Sequence, residues 1–140
     1  MVWLARADDQ PGLTAAYAKG LRDWWRGPMR DLVALVRPLL EAKRVVFYFF
    51  ASAPEGGRYY DAHRIEHMGH ESTILACDLN GDQVNVLHGA PIRLINELEL
   101  GFKQVKWVEA IDFVASFRHL GAGQGGYNED HDFYGYRETI

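Results

Sequence analysis

An uninterrupted apolar run at residues 45–50 is the strongest feature of the hydrophobic pattern. It reads Val-Val-Phe-Tyr-Phe-Phe, with two β-branched and four aromatic residues, a composition typical of a strand buried on both faces. Charged residues precede the run at 41–44, and the turn-forming sequence Ser-Ala-Pro-Glu-Gly-Gly follows it at 52–57. We therefore predict that residues 44–52 form the central strand of a sheet.

Alternating apolar and polar positions after this run predict further strands. Residues 58–68, 72–79 and 83–88 are each bounded by turn-forming residues. The pair Asn80-Gly81 favours a two-residue hairpin turn, in which both positions require positive φ. These strands are expected to form a four-stranded antiparallel meander over residues 44–89, with a short fifth strand at 102–108.

Apolar residues at helical spacing predict helices on either side of the meander. Residues 15–26 and 28–42 carry this spacing before it, and Pro28 suits the first turn of the second helix. Residues 91–100 are assigned to a helix after it. Residues 109–120 fit either a helix or a strand, and Gly121 as a helix stop favours the helix.

The predicted fold class is therefore α+β. N-terminal helices are followed by a four- to five-stranded antiparallel meander sheet, with C-terminal helices packed on one face. A length of 140 residues is that of a single domain. We predict one globular α+β domain at residues 1–120.

The last twenty residues differ in kind from the rest. Residues 121–140 combine glycine with acidic and aromatic side chains and show no periodicity. This composition is typical of a flexible terminus or of a segment that becomes ordered on a partner. Residues 121–140 are thus expected to be a Gly-rich, acidic-aromatic C-terminal tail.

Charge and cysteine content narrow the classes of function. The formal net charge of −4 argues against a nucleic-acid-binding surface, which needs clustered Lys and Arg. The one cysteine, Cys77, requires no oxidising compartment. Because no secretory signal or membrane-length apolar stretch is evident, we expect a cytoplasmic protein that binds no membrane. An exposed edge of the apolar strand could pair across a homodimer.

A cluster of histidines and carboxylates offers candidate chemistry. Three histidines and three carboxylates fall within eleven residues: Asp61, His63, Glu66, His67, His70 and Glu71. His63 and His67 with Asp61 could serve as acid/base catalysts, or His63, His67 and His70 could hold a metal ion. The spacing matches no zinc signature, which favours a polar, partly exposed strand and loop. The sequence indicates no cofactor and no metal.

The tail offers candidate residues for binding a protein partner. Carboxylates and aromatic rings together make good anchors against a basic cleft, since charge speeds the encounter and rings bury area. The predicted partner-binding residues are Glu129, Asp130, Asp132, Phe133, Tyr134 and Tyr136.

In its small size, acidic balance, helix-then-meander layout and acidic-aromatic segments, the chain resembles the immunity proteins that neutralise bacterial toxins. The resemblance is one of general character and assigns no site. It implies a protein-binding module, an inhibitor, immunity protein or antitoxin that covers a toxin or enzyme with a basic cleft. The alternative is a small hydrolase or isomerase that uses Asp61, His63, Glu66, His67 and His70, with or without a metal ion.

Overall fold

Strands dominate the chain in the computed structural model, which describes residues 15–17, 27–52 and 58–131. The strands in these ranges are β1 (Ala15–Tyr17), β2 (Gly27–Pro28), β3 (Arg44–Ser52), β4 (Arg58–Arg64), β5 (Ile74–Ala76), β6 (Asp78–Leu79), β7 (Asp82–Gln83), β8 (Arg93–Ile95) and β9 (Val108–Val114). The helices are α1 (Met29–Val36) and α2 (Tyr127–Asp130), and 3₁₀ turns cover Ile65–Gly69, Val86–His88 and Gly101–Lys103.

The largest sheet is antiparallel and has the strand order β1-β9-β3-β4. Strand β3 is bonded on both sides, so Phe47 faces Asp61 of β4 and Ile111 of β9. The residues from Val45 to Tyr48 are all buried. The prediction of a central strand buried on both faces is confirmed over these residues.

Each face of this sheet packs against a different set of side chains. On one face, Val45, Phe47 and Ile111 join a core that extends to α1 and to the second sheet, whose order is β2-β5-β8. On the other face, Val46 and Tyr48 are covered in part by Phe117 and Leu120. Burial on both faces removes a large apolar area from water, which is the dominant stabilising contribution to folding.

The predicted α+β class is wrong, because strands predominate among the regular elements of the described residues and the helices are short. Of the expected helix at 15–26, residues 15–17 form β1 and residues 18–26 lie outside the described ranges. The expected helix at 28–42 is present only as α1. It ends at Arg37, which adopts a left-handed conformation (φ 51°), and Pro38 follows, which a helix interior disfavours.

The C-terminal helices of the prediction are also wrong. Residues 109–120 contribute to β9, where Ala110, Ile111 and Phe113 are buried and the backbone pairs with both β1 and β3. Pairing with two distant strands outweighs the local helical spacing. Residues 91–100 contain β8 instead of a helix, since this segment pairs with β5.

The predicted four-stranded meander does not form beyond its first hairpin. Strands β3 and β4 pair as expected, but β5 leaves this sheet and pairs with β2 and β8. The Asn80-Gly81 turn is confirmed: both residues have positive φ (54° and 88°) and they join β6 to β7. Among the described helices, none has the length and apolarity that crossing a bilayer requires.

Candidate functional site

A buried ion cluster lies where β4 meets the 3₁₀ turn Gly101–Lys103 and α2. The Lys103 ammonium is buried. It contacts Asp61 Oδ1 and lies 2.6 Å from Glu129 Oε1. The exposed fractions of Lys103, Asp61 and Glu129 are 0%, 3% and 3%. Burial of charged groups requires such pairing, because an unpaired ion loses its hydration without compensation.

A histidine–carboxylate network continues from this cluster. His63 is fully buried, with its Nε2 3.9 Å from Asp61 Oδ1 and its Nδ1 3.4 Å from Glu99 Oε2. The other oxygen of Glu99 lies 2.6 Å from His67 Nδ1. Asn96 Nδ2 also lies 3.2 Å from His63 Nδ1. His63 thus stands between two carboxylates, and its ring packs edge-on against Phe47 at 5.3 Å.

Burial and charge set the protonation of these groups. Burial raises the pKa of Asp61 well above its usual value, although the Lys103 ammonium opposes it. Burial also lowers the pKa of His63. Burial alone would raise the pKa of Glu99, but hydrogen bonds and charges from His63, Lys103 and His67 outweigh it and lower that pKa to about 2. For Lys103, the carboxylates Asp61 and Glu129 outweigh burial and raise the pKa.

The structure brings some of the predicted acid/base residues together and separates others. Asp61, His63 and His67 belong to the network above. Glu66 is exposed, and His70 is exposed with its Nδ1 2.7 Å from Ser72 Oγ. Among the residues that the structure describes, no group of three His, Cys, Asp or Glu side chains is arranged to hold a metal ion.

The structure describes two of the six predicted partner-binding residues, and both of them contact other parts of the protein. Glu129 is buried against Lys103. Asp130 accepts hydrogen bonds from the backbone N–H groups of Ala122 and Gln124 at 3.0 and 2.8 Å, and its Oδ2 lies 2.7 Å from the Tyr60 hydroxyl. The other four, Asp132, Phe133, Tyr134 and Tyr136, lie outside the described residues.

The part of the expected tail that the structure describes is bonded to β4. Ala62 N donates to Gly125 O at 2.8 Å, and Asp61 forms a bridge with Gly126. A Cβ atom on residue 126 would lie 2.6 Å from Glu129 Oε2 and 3.1 Å from Asp61 Oδ1. The close approach of this segment to the ion cluster therefore depends on a glycine there.

A cavity of about 340 Å³ opens beside Asp61, within the size range of roughly 300–1,000 Å³ that is typical of ligand sites. Aromatic rings form most of its wall, and stacking between Phe49 and Tyr59 (6.0 Å) and contact between Tyr59 and Tyr127 (4.4 Å) hold them in place. Its lining residues are Phe49, Tyr59, Tyr60, Asp61, Phe102, Trp107, Tyr127 and Asn128.

Two cations flank a loop next to the same Trp107. Residues 85–89 and the side chains of Arg93 and Lys106 are together called the cationic loop. Arg93 Nη1 donates to His88 O at 3.0 Å, and Lys106 Nζ donates to Leu87 O at 3.2 Å. Trp107 Nε1 fixes the loop further by donating to Val86 O at 2.6 Å.

The cationic loop has the features of an anion site. None of the ion pairs recorded between described residues involves Arg93 or Lys106, and Arg93 Nε is buried without a hydrogen-bond partner there. Gly89 has a φ of 106°, and a Cβ on it would lie 3.0 Å from Lys106 Cβ. Gly89 therefore lets the side chains of Lys106 and Arg93 pack closely against the loop, and neither cation has an acidic partner among the described residues.

Sequence reasoning missed the groups that complete both sites. Lys103, Glu99, Arg93 and Lys106 were not singled out. Lys103, Glu99 and Lys106 each lie far along the chain from residues that they contact, and Arg93, which contacts the nearby His88, belongs to no recognisable motif. A weak signal was present in residues 102–107, which place two lysines beside aromatic residues. Cys77 packs against the main core and is not among the residues that line the cavity.

Comparison with known proteins supplies what the geometry alone does not. The chain matches the family described as "Oxidoreductase molybdopterin binding domain" over residues 6–119. It is 32% identical over 100 residues to the protein-methionine-sulfoxide reductase catalytic subunit MsrP of Xanthomonas axonopodis pv. citri, and equally so to that of Xanthomonas campestris pv. campestris. Each alignment covers 64% of this chain, and the chain spans 31% of the length of each relative.

These similarities overturn the function predicted from the sequence. They indicate an enzymatic redox function, so the inhibitor, immunity-protein and antitoxin prediction is wrong, as is its alternative, a hydrolase or isomerase. The predicted partner, a protein with a basic cleft, is wrong for the same reason. Acidic balance and aromatic segments therefore do not distinguish an inhibitor from a member of this family. With a match that extends over most of its length, the chain belongs to the oxidoreductase molybdopterin-binding domain family.

Proposed function

We propose that this chain is a redox domain that binds molybdopterin through its phosphate at the cationic loop and serves the reduction of methionine sulfoxide. The observation that carries the proposal is the pair of cations Arg93 and Lys106 beside Gly89, neither of which has an acidic partner among the described residues. The substrate class comes from the description of the relatives. When bound, the cofactor would supply the electron-transfer chemistry, as cofactors generally do.

The residues of the cationic loop suit a phosphate group. Arg offers several N–H donors in a planar fork, of which Nε is unpaired here among the described residues. Lys106 adds a point charge, and His88 lies exposed in the same loop with its Nδ1 2.8 Å from Asn85 Oδ1. We therefore assign the phosphate to Arg93 and Lys106.

The proposal assigns residues only to the phosphate end of the cofactor. Cys77 lies outside the cavity lining, so no metal ligand is assigned to it. Arg93 and Lys106 also hold the loop by donating to its carbonyls, and a bound phosphate would share donors that are already oriented. This orientation lowers the entropic cost of binding.

Cofactor retention tests the proposal directly. The 140-residue chain is purified from a host that makes molybdopterin, and the bound pterin is quantified by the fluorescence of its oxidised form. We expect the unaltered chain to retain pterin, and Lys106→Met to weaken retention roughly tenfold or more, the loss of one charge-assisted hydrogen bond. Arg93→Met is expected to have at least as large an effect.

A matched control separates phosphate binding from general loss of charge. Lys43 is also an exposed lysine that donates to a loop carbonyl, Leu40 O at 2.8 Å, but it is not part of the cationic loop. Lys43→Gln should leave pterin retention unchanged. An unaltered chain that retains no pterin, or equal retention by Lys106→Met and Lys43→Gln, would contradict the proposal.

A further inference from the structure

The cavity beside β4 combines an aromatic wall with one buried carboxyl group. Asp61 is only 3% exposed and is nevertheless among the lining residues. Its Oδ1 contacts the Lys103 ammonium, whereas Oδ2 has no recorded partner among the described residues. The rings of Tyr59, Tyr127 and Trp107 line the same cavity as Asp61.

The charges around Asp61 favour a neutral carboxyl group. Two carboxyl groups, those of Asp61 and Glu129, share one ammonium, that of Lys103. If both were ionised, the buried cluster would carry a surplus negative charge, which low-polarity surroundings penalise. Glu99 adds a further negative charge behind His63. One proton on Asp61 cancels the surplus, and burial acts in the same direction by raising the pKa of this residue.

We propose that this aromatic cavity is a sulfoxide-binding site, in which the Asp61 carboxyl group donates a hydrogen bond from Oδ2 to the sulfoxide oxygen. A sulfoxide has a strongly accepting oxygen and apolar arms on sulfur. Sulfur packs favourably against aromatic rings, which this wall provides, and the neutral acid provides the donor. The assignment rests on the proposed function for its substrate class, and it names the site and the residue that would recognise the substrate.

Selectivity between substrate and product follows from the same geometry. The sulfide product lacks the oxygen, so its binding would leave the Asp61 hydroxyl group without an acceptor. A site built around a buried hydrogen bond discriminates against ligands that cannot form it. We therefore expect the sulfoxide to bind roughly tenfold more tightly than the sulfide, which corresponds to one such hydrogen bond.

Binding without turnover provides the test. The probes are N-acetylmethionine sulfoxide methylamide and the matching sulfide, titrated into the isotope-labelled chain and followed by NMR. The expected result is saturable shifts at Asp61, Asn128 and the Trp107 indole, with tighter binding of the sulfoxide. Equal affinity for the two probes, or shifts confined to other parts of the chain, would overturn the proposal.

Variants of Asp61 sharpen the result. Affinity of the unaltered chain for the sulfoxide should fall as the pH rises, because Asp61 loses its proton. Asp61→Asn keeps a donor and loses the titration, so its affinity should be independent of pH. Asp61→Leu removes the donor and should bind both probes alike. Glu71→Gln, a change at an exposed acid, is the control and should reproduce the unaltered pH profile.

The groups that face Asp61 are the ones that could mimic this profile. They are Lys103 in the 3₁₀ turn, Glu129 in α2 and His63 in β4, with Glu99 behind His63. If one of them caused the pH dependence, Asp61→Asn would retain it, and that outcome would overturn the proposal. Pterin retention distinguishes this failure from failure of the proposed function, since Asp61→Asn should retain pterin as the unaltered chain does.

Discussion

The buried lysine gives the sharpest prediction about stability. Lys103 is fully buried, contacts both Asp61 and Glu129, and lies 3.3 Å from Ala62 O. Lys103→Met retains most of the length and volume of the side chain and removes its charge. The two acids then lose their counter-ion without gaining water.

The size of the effect follows from this loss. Removing one partner of a buried ion pair costs about 3–5 kcal/mol, because an uncompensated charge stays behind. We expect the free energy of unfolding to fall by about 3 kcal/mol or more at neutral pH. A change of this size lowers the Tm by at least about 6 °C, given roughly 2–8 °C per kcal/mol for domains of different sizes.

The effect should also depend on pH in a defined direction. Asp61 has a raised pKa in the folded protein, and loss of the ammonium raises it further. A group with a raised folded pKa contributes most stability below its unfolded pKa and loses that contribution as the pH rises through the folded value. The deficit of Lys103→Met should therefore grow with pH and shrink in mildly acidic buffer.

Urea denaturation at several pH values measures the loss of stability in Lys103→Met. Lys106→Met is the matched control. The Lys106 ammonium, three residues away, has a loop carbonyl and the Trp107 ring as its partners in the described residues, and Met retains the packing of the stem, so the change should cost within about 0.5 kcal/mol. Adding Glu129→Gln to Lys103→Met removes one uncompensated acid and should restore part of the loss. A deficit below about 1 kcal/mol, or one that is the same at every pH, would refute the reasoning.

Two further predictions concern the contacts around the same cluster. Tyr60→Phe removes the hydroxyl that lies 2.9 Å from Leu120 O and 2.7 Å from Asp130 Oδ2, and should cost about 1–3 kcal/mol; hydrogen exchange should show lower protection over residues 121–131, and unchanged protection there would contradict this contact. Glu99→Gln should destabilise the protein at neutral pH by roughly 1–3 kcal/mol, because a carboxylate with a pKa lowered to about 2 stabilises the fold above its usual value of 4.5 and loses that effect as the pH falls. The difference from the unaltered protein, measured by thermal unfolding, should vanish towards pH 2, and a constant difference would count against the His63–Glu99–His67 network.

Local features of the fold could be predicted because their causes are local. The run at residues 45–50 gave a central strand, since its composition favours strands whatever they pair with. The Asn80-Gly81 turn was predictable because positive φ at two adjacent positions is a property of those two residues. Asp61, His63 and His67 were identified as candidate chemistry from their proximity in the sequence.

Other features depended on contacts between distant parts of the chain. Residues 109–120 fit a helix and a strand about equally, and pairing of β9 with β1 and β3 decided for the strand. Lys103 meets Asp61 across 42 positions and Glu129 across 26, a distance at which the sequence carries no pairing signal. The family of the chain likewise came from the comparison with known proteins, because the residues of the cationic loop form no recognisable motif along the chain.

The sequence by itself therefore determined the features that depend on backbone propensity and turn chemistry within a few residues, such as the central strand and the Asn80-Gly81 turn. Only the tertiary structure decided which strands pair, which acids share the buried ammonium and which rings enclose the cavity. The physical reason is that charge pairing, burial and sheet hydrogen bonding act through space between residues that folding brings together. Their free energies exceed the small local preferences that a sequence pattern expresses.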